Sequence, residues 1–420
     1  MGQQTFAFGS GDMPTGKQEV AIAAMAKKGG STTKPRPRVT ATDLAKRQRE
    51  ISVAEFFTKN RHLLGFDNPR KALLTTIKEA VDNALDACEE AHILPEVKVT
   101  IQEVIKEKRY RVIVEDNGPG IVRAQVPKIF GKLLYGSKFH RLKMSRGQQG
   151  IGISAAAMYG QLTTGKPCII ISKIGRKKPS IRYELMVDTK KNEPRVISEE
   201  ECQWNGDHGT RVEIELEAHY KRGRQSVDAY IEQTAITNPH VRIVYTTPDG
   251  DTHEFPRATK DIPPEPKEIK PHPQGIELGM LMRMLEDTKA RHLKSFLTHE
   301  FSRVSGRVAD QIIEEAKLAP NNRPTRIARQ EAETLYKAIQ TVKIMSPPTD
   351  CVIPIGEGLL LKGVRKELEA DFYTAVTRPP SVYRGNPFVI EAALAYGGQI
   401  REDGRAELPV LEHGQLGPPV

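Results

Sequence analysis

The sequence predicts an α+β chain: one mixed sheet with helices on one face, then a helical stretch, then a further, partial α/β unit. Three observations carry this. A long helical pattern opens at Pro69, with apolar residues recurring every three or four positions. Short β-branched runs follow at 97–101, 110–114, 169–174, 182–187 and 210–216, which read as strands. Between the second and third runs, a glycine loop enters a small-residue helical segment at Gly147–Ala157.

Taken in order, residues 1–45 are rich in Gly, Ser, Thr, Pro and Lys, and Lys34-Pro35-Arg36-Pro37-Arg38 disfavours helix and central strand alike. This stretch reads as an unstructured basic tail. Order begins near Ser52, which with Glu55 fits a capping box ahead of Val53, Phe56 and Phe57. Pro69 sits where a first helical turn tolerates proline, and Leu73, Leu74, Ile77, Ala80, Val81, Ala84 and Leu85 mark the buried face beyond it. The five strand runs complete a unit over 46–255. Residues 256–275 are proline-rich, as in Pro263-Pro264-Glu265-Pro266, and read as a linker or wrapping segment. Residues 276–346 are helical in pattern, with Gly306 and the 320–324 stretch as turns. The final unit, 347–420, shows strand-like runs at 352–356 and 388–394, and no internal repeat is evident.

Composition bounds the function. The chain has 420 residues, 38% hydrophobic and 28% charged, as in an ordinary globular protein. Neither a membrane span of ~20 apolar residues nor a secretory leader is visible. Cys88, Cys168, Cys202 and Cys351 form no C-x-x-C pair, which points to reduced thiols rather than disulfides or zinc. A net charge of +10 fits either a solvated basic surface or a polyanion partner such as nucleic acid.

Three short motifs carry the chemistry. Glu79 and Asn83 stand four apart on the long helix, so they share a face. A carboxylate there can activate water, and an amide oxygen one turn on can ligate Mg²⁺. Asp116 ends a strand ahead of Asn117-Gly118-Pro119-Gly120. Its carboxylate can accept from an adenine amino group while Gly118 and Gly120 let backbone pass close to the base. Gly147, Gln148, Gln149, Gly150, Ile151, Gly152, Ile153 and Ser154 form a loop running into a helix, an anion site suited to a triphosphate. Ser137 and Lys138 upstream can add a hydroxyl and a cation, and the Thr210 hydroxyl of His208-Gly209-Thr210 can support Asp116 through a water. Each piece alone also reads blandly: a wet helix face, a β-turn, a surface lysine, a strand start.

Their order resembles that of the GHKL ATPases: Glu-x-x-x-Asn, Asp-x-Gly-x-Gly, Gly-x-x-Gly-x-Gly, Gly-Thr. Further stretches are similar to the B subunits of type IIB topoisomerases, the topoisomerase VI family. These are Ala54-Glu55-Phe56-Phe57, Gly65-Phe66, Asn83-Ala84-Leu85-Asp86-Ala87, Phe130-Gly131-Lys132-Leu133-Leu134-Tyr135-Gly136-Ser137-Lys138-Phe139, Arg146–Gly152, Lys270-Pro271-His272-Pro273 and Gly385-Asn386-Pro387-Phe388. The resemblance spans roughly 45–400. It implies a GHKL (Bergerat) ATP-binding sandwich over 46–255, a helix–two-turn–helix domain over 276–346 and a truncated transducer domain over 347–420.

The resemblance also implies ATP and Mg²⁺ as cofactors. It implies Glu79 as catalytic base, Asn83 as the Mg²⁺ ligand, Asp116 as the adenine contact, and Ser137, Lys138 and 147–154 as the phosphate set. The implied partners are duplex DNA, an A subunit in an A2B2 heterotetramer, and a second copy in an ATP-dependent homodimer, with part of 45–60 crossing to it. The implied setting is cytoplasmic and nucleoid-associated. No convincing Toprim carboxylate cluster is present, because Asp249-Gly250-Asp251 lies in a turn-like stretch. Strand cleavage is therefore expected of the separate A subunit. The family's phosphate-sensing transducer lysine lies beyond this chain's end, which reads as a shortened member of the family. The alternative is a nucleotide-gated clamp, or a degenerate relative that binds ATP without DNA-coupled turnover.

Overall fold

A computed structural model of the chain describes residues 40–46, 48–137, 142–147, 150–223 and 225–398. The described residues up to Glu50 and those from Ile51 on belong to separate units. In the first, Thr40 caps a short helix, α1 (Ala41–Ala45), and Asp43 accepts from the Thr40 amide in return. The tail expected over 1–45 is thus helical at these residues, because that reciprocal cap satisfies the end groups.

In the second unit, α2 (Val53–Lys59) starts at Ser52, whose hydroxyl accepts from the Glu55 amide. The long helix α3 (Pro69–Glu90) starts at Asn68, and its buried residues, among them Leu73, Ile77, Val81 and Leu85, follow the apolar face read from the sequence. Then come β1 (Glu96–Ile105), β2 (Arg109–Asp116), α4 (Val126–Gly131), α5 (Gly152–Thr164), β3 (Cys168–Lys173), β4 (Ser180–Asp188), β5 (Glu193–Cys202), β6 (Gly209–Glu217), α6 (Val227–Thr237), β7 (Arg242–Thr246) and β8 (Thr252–Phe255). The strands form one eight-stranded sheet in the order β5-β4-β3-β6-β2-β1-β7-β8. Every neighbouring pair is antiparallel except β1 and β7. The sheet is therefore mixed, as expected.

The core lies between this sheet and α3, α5 and α6, and Ile77, Leu85, Ile101, Ile170, Leu216 and Ile243 are fully buried in it. Each such side chain contributes roughly 1.5–3 kcal/mol through removal from water. Several elements stand outside those the sequence marks out, α4 among them. Strand β5 is a charged edge strand with most residues exposed, so it shows no apolar alternation. The helix α6 and strands β7 and β8 depend on a parallel pairing of β7 with β1 from across the chain.

A second core gathers α7 (Leu278–Asp287), α8 (Leu293–Glu300), α9 (Gly306–Glu315) and α10 (Arg329–Thr341) around Leu281, Phe296, Leu297, Ile312 and Leu335. Gly306, expected in a turn, is instead the first residue of α9 behind the Ser305 cap. Beyond lie α11 (Glu357–Glu367), β9 (Phe372–Thr377), β10 (Ser381–Tyr383), β11 (Asn386–Phe388) and β12 (Glu391–Tyr396). Residues 352–356 are not a strand. Pro354 has no amide to donate, and the Ile355 and Gly356 amides donate to the Glu391 carboxylate, at 2.7 Å each. The run expected over 388–394 is broken between β11, which pairs with β10, and β12, which pairs with β9. A third, small core holds Cys351, Val352 and Val389 against Met144 and Ile269. All four cysteines are free thiols. Among the described residues, no helix is long and apolar enough to cross a membrane.

Candidate functional site

The site is built along one side of α3. Glu79, Asn83 and the Ala87–Cys88 pair lie on successive turns, and each meets a different glycine segment. A Cβ on Gly152 would stand 1.6 Å from Glu79 Oε2, so any side chain there displaces the carboxylate. A Cβ on Gly147 would stand 3.6 Å from Asn83 Oδ1. A Cβ on Gly118 would stand 3.6 Å from Ala87 Cβ and 3.4 Å from Cys88 Sγ. At the helical rise, the eight steps from Glu79 to Ala87 span about 12 Å. The turn after Asp116 therefore meets one end of this stretch and the glycine loop with the α5 N-terminus meets the other.

Strand pairing places Asp116. It ends β2 opposite Thr210, at the start of β6. Its Oδ1 accepts from the Gly118 amide at 2.8 Å and the Thr210 amide at 3.2 Å. Thr210 thus contacts Asp116 directly through its backbone amide. Burial pushes the Asp116 carboxyl up to about 7 despite those two hydrogen bonds, which favour the ionised form. Gly209 has φ of +145°, and a Cβ on it would stand 2.2 Å from the Asp116 carbonyl oxygen, which accounts for glycine before Thr210. His208 Nδ1 donates to the Gly118 carbonyl at 2.8 Å. Asn117 accepts from the Glu96 amide and donates to the Leu94 carbonyl, tying the turn to the start of β1.

At the other end, Glu79 is half-buried, and its carboxyl is raised first by burial and then by the negative Asp82 nearby. Asp82 is itself raised by burial, opposed mainly by Arg146, and accepts from Tyr230 Oη at 3.1 Å. Arg146, just ahead of the glycine loop, donates to Asp86 Oδ1 at 2.9 Å and to both Glu89 oxygens at 2.7 and 2.8 Å. It also donates to Asn238 Oδ1 at 2.7 Å. His240 Nε2 contacts the same Glu89 carboxylate at 2.8 Å. Burial pushes the Glu89 carboxyl up, but hydrogen bonds from His240 and Arg146 outweigh it and hold the group at about 2. Sequence reading did not single out Arg146, Glu89, Asn238 or His240 as site residues. Only the position of Arg146 beside the loop is a local signal.

The remaining expected residues divide. Asn83 is exposed, with its amide free to face a ligand, and Gly120 closes the turn with φ of +71°. Ser137 is exposed at the end of a described segment. Lys138, Gln148 and Gln149 lie outside the described residues. Ile151 and Ile153 are buried in the main core, and Ser154 Oγ donates to the Ile151 carbonyl at 2.9 Å. Those three side chains therefore serve packing and the start of α5, leaving only their backbone to an anion. The Gly150 carbonyl accepts from the Tyr135 amide at 3.3 Å. Among the described residues, no three His, Cys, Asp or Glu side chains group to hold a metal. A cation beside Asn83 would thus take most of its ligands from phosphate and water, the usual habit of Mg²⁺.

Two family models match the chain. Residues 68–220 match the histidine kinase-, DNA gyrase B- and HSP90-like ATPase, and residues 347–410 match the transducer of the topoisomerase VI B subunit. The B subunit of type 2 DNA topoisomerase 6 from Methanococcoides burtonii is 52% identical over 369 residues, covering 88% of this chain and 59% of that protein. The protein of the same name from Archaeoglobus fulgidus is 50% identical, covering 85% and 59%. That from Pyrococcus horikoshii is 40% identical over 408 residues, covering 86% and 72%. The chain thus spans 59% of the length of the first of these relatives.

Proposed function

The chain belongs to the family of topoisomerase VI B subunits, and from that premise we propose that it is the ATP-binding and ATP-hydrolysing component of a type IIB DNA topoisomerase. The observation that carries the reading is the convergence on α3, where Glu79, Asn83 and the Asp116 turn meet the glycine segments in one line. ATP lies along this line. Its adenine amino group donates to Asp116, and its triphosphate runs toward the backbone amides of 147–153 and the N-terminus of α5. The Asn83 amide oxygen would hold Mg²⁺, which neutralises phosphate charge when bound. Ser137 and Lys138 complete the phosphate set.

Glu79 orients the attacking water and takes its proton. As the water oxygen bonds to the γ-phosphorus, the bond to the bridging oxygen breaks and ADP leaves with that electron pair. A carboxyl raised by burial and by Asp82 is a stronger base than an exposed one, which suits this step. We divide the chain into the ATP-binding domain (46–255), a linker (256–275), a helix–two-turn–helix domain (276–346) and a transducer (347–420). ATP binding dimerises two such chains, which gate one duplex through a double-strand break made by a separate A subunit. The net charge of +10 supports contact with DNA.

The test is ATP turnover by the purified protein and by Glu79→Ala, with and without duplex DNA. Turnover that vanishes in the variant, with nucleotide binding retained, is expected, as is stimulation by DNA that weakens with salt. Normal turnover in Glu79→Ala refutes the base. Turnover indifferent to DNA at every salt concentration favours a clamp over a topoisomerase component.

A further inference from the structure

The phosphate loop hangs from a short stalk, residues 142–147, that is fixed at two places. On one side the Leu142 carbonyl accepts from the Ile269 amide at 3.1 Å, and the Met144 amide donates to the Cys351 carbonyl at 2.8 Å. On the other side Arg146 reaches α3 and the end of α6. Its guanidinium makes a two-pronged contact with Glu89, a further bond to Asp86, and one to Asn238. Asp86 lies one turn beyond Asn83 on α3, and Glu89 one turn beyond that. The residue after Arg146 is Gly147, which stands over Asn83.

We propose that Arg146 is a positioning residue for ATP. It locks the start of the phosphate loop to the helix that carries Asn83 and Glu79, without touching the nucleotide itself. The fork geometry decides the residue type. Four donor contacts spread over three acceptor side chains need a planar guanidinium, which a lysine's single ammonium cannot replace. The stalk is also tied to Ile269, Cys351 and Glu265, and the loop to Tyr135 through the Gly150 carbonyl, but the stalk's described hydrogen bonds to α3 all come from Arg146. This inference rests on the ATP site proposed above.

The arrangement separates the two ends of the nucleotide. Asp116 is held by β2, β6 and its own turn, whereas the described hydrogen bonds of Arg146 go to Asp86, Glu89 and Asn238. Loss of Arg146 should therefore weaken binding of the phosphates and leave the adenine end intact. The experiment measures the affinities of ATP and of adenosine for wild type, Arg146→Gln and Arg146→Lys, with steady-state turnover alongside. Arg146→Gln should lose ~10- to 100-fold in ATP affinity at unchanged adenosine affinity, as expected when hydrogen bonds between charged groups that hold the loop are lost. Arg146→Lys should fall between.

Equal losses for both ligands mark a general structural role and overturn the proposal, as does ATP binding at the wild-type level. Should Arg146→Gln fail to fold, Glu89→Gln keeps the Asp86 and Asn238 bonds and should show a smaller loss for ATP alone. No shift there overturns the proposal equally. A wild type that binds no ATP defeats the ATP site and this inference together. A wild type that turns over ATP beside an unaffected Arg146→Gln defeats this inference only.

Discussion

Asp116 gives the most exposed prediction, because its two tasks conflict. Burial raises its carboxyl from an ordinary 3.8 to about 7, so the free protein holds it largely protonated at pH 6. A protonated carboxyl is a poorer acceptor for the adenine amino group. If only the ionised form binds, the population of competent protein falls from about nine-tenths at pH 8 to about one-tenth at pH 6. Adenosine affinity should then drop about tenfold between those values, or ~1.4 kcal/mol. Adenosine is the right probe, since it lacks phosphates that titrate in this window. Calorimetry in buffers of different ionisation enthalpy should also show release of nearly one proton at pH 6. The stability consequence has the opposite sense. Between 3.8 and about 7 the folded state binds more protons than the unfolded one, so this group's contribution falls as pH rises through the window. Asp116→Asn should therefore stabilise the ligand-free protein at pH 8, by up to on the order of 4 kcal/mol, while weakening adenosine binding and flattening its pH dependence. Adenosine affinity that is flat from pH 6 to pH 8 in the wild type would show that ionised Asp116 is not what holds the adenine.

Other substitutions probe different joints. Gly152→Ala puts a Cβ 1.6 Å from Glu79 Oε2, and kcat should fall by ~100-fold as the carboxylate swings aside, with adenosine binding unchanged in a parallel titration. The Glu89 carboxyl, held at about 2, stabilises the fold above its ordinary 4.5, and that stability is lost as pH falls toward 2. An acid titration followed by circular dichroism should show this loss, on the order of 3 kcal/mol, and Glu89→Gln should lack it. Gly363→Ala places a Cβ 2.1 Å from the Ile236 carbonyl oxygen, where α11 lies against α6. It should cost about 1–3 kcal/mol in urea unfolding.

What the sequence made legible was local. The α3 face, the cap at Ser52, and the strand ending in Asp116 each announce themselves within a few residues, and each is found in the structure. The glycine loop was legible as a backbone feature. The inward turn of Ser154 was not, because whether a hydroxyl faces a ligand or its own helix depends on packing. Arg146 illustrates the deeper limit. Its partners Glu89 and Asn238 lie 57 and 92 residues away, and only the folded sheet with α6 packed beside α3 brings them together. The same holds for β7, whose parallel pairing with β1 no local pattern encodes. The strand expected at 352–356 failed for a related reason. Its Ile355 and Gly356 amides are taken by Glu391, a side chain from a distant strand, and its Val352 amide by the Thr349 carbonyl.

In the proposed site one nucleotide spans α3 from the Asp116 turn to the α5 N-terminus. A crystal structure with Mg²⁺ and a non-hydrolysable ATP analogue tests it most directly. The adenine amino group is expected within hydrogen-bond distance of the Asp116 carboxylate, the terminal phosphate between Gly147 and Gly152 facing Glu79, and the metal on Asn83. A nucleotide bound elsewhere, or bound with its adenine toward Glu79, would contradict it.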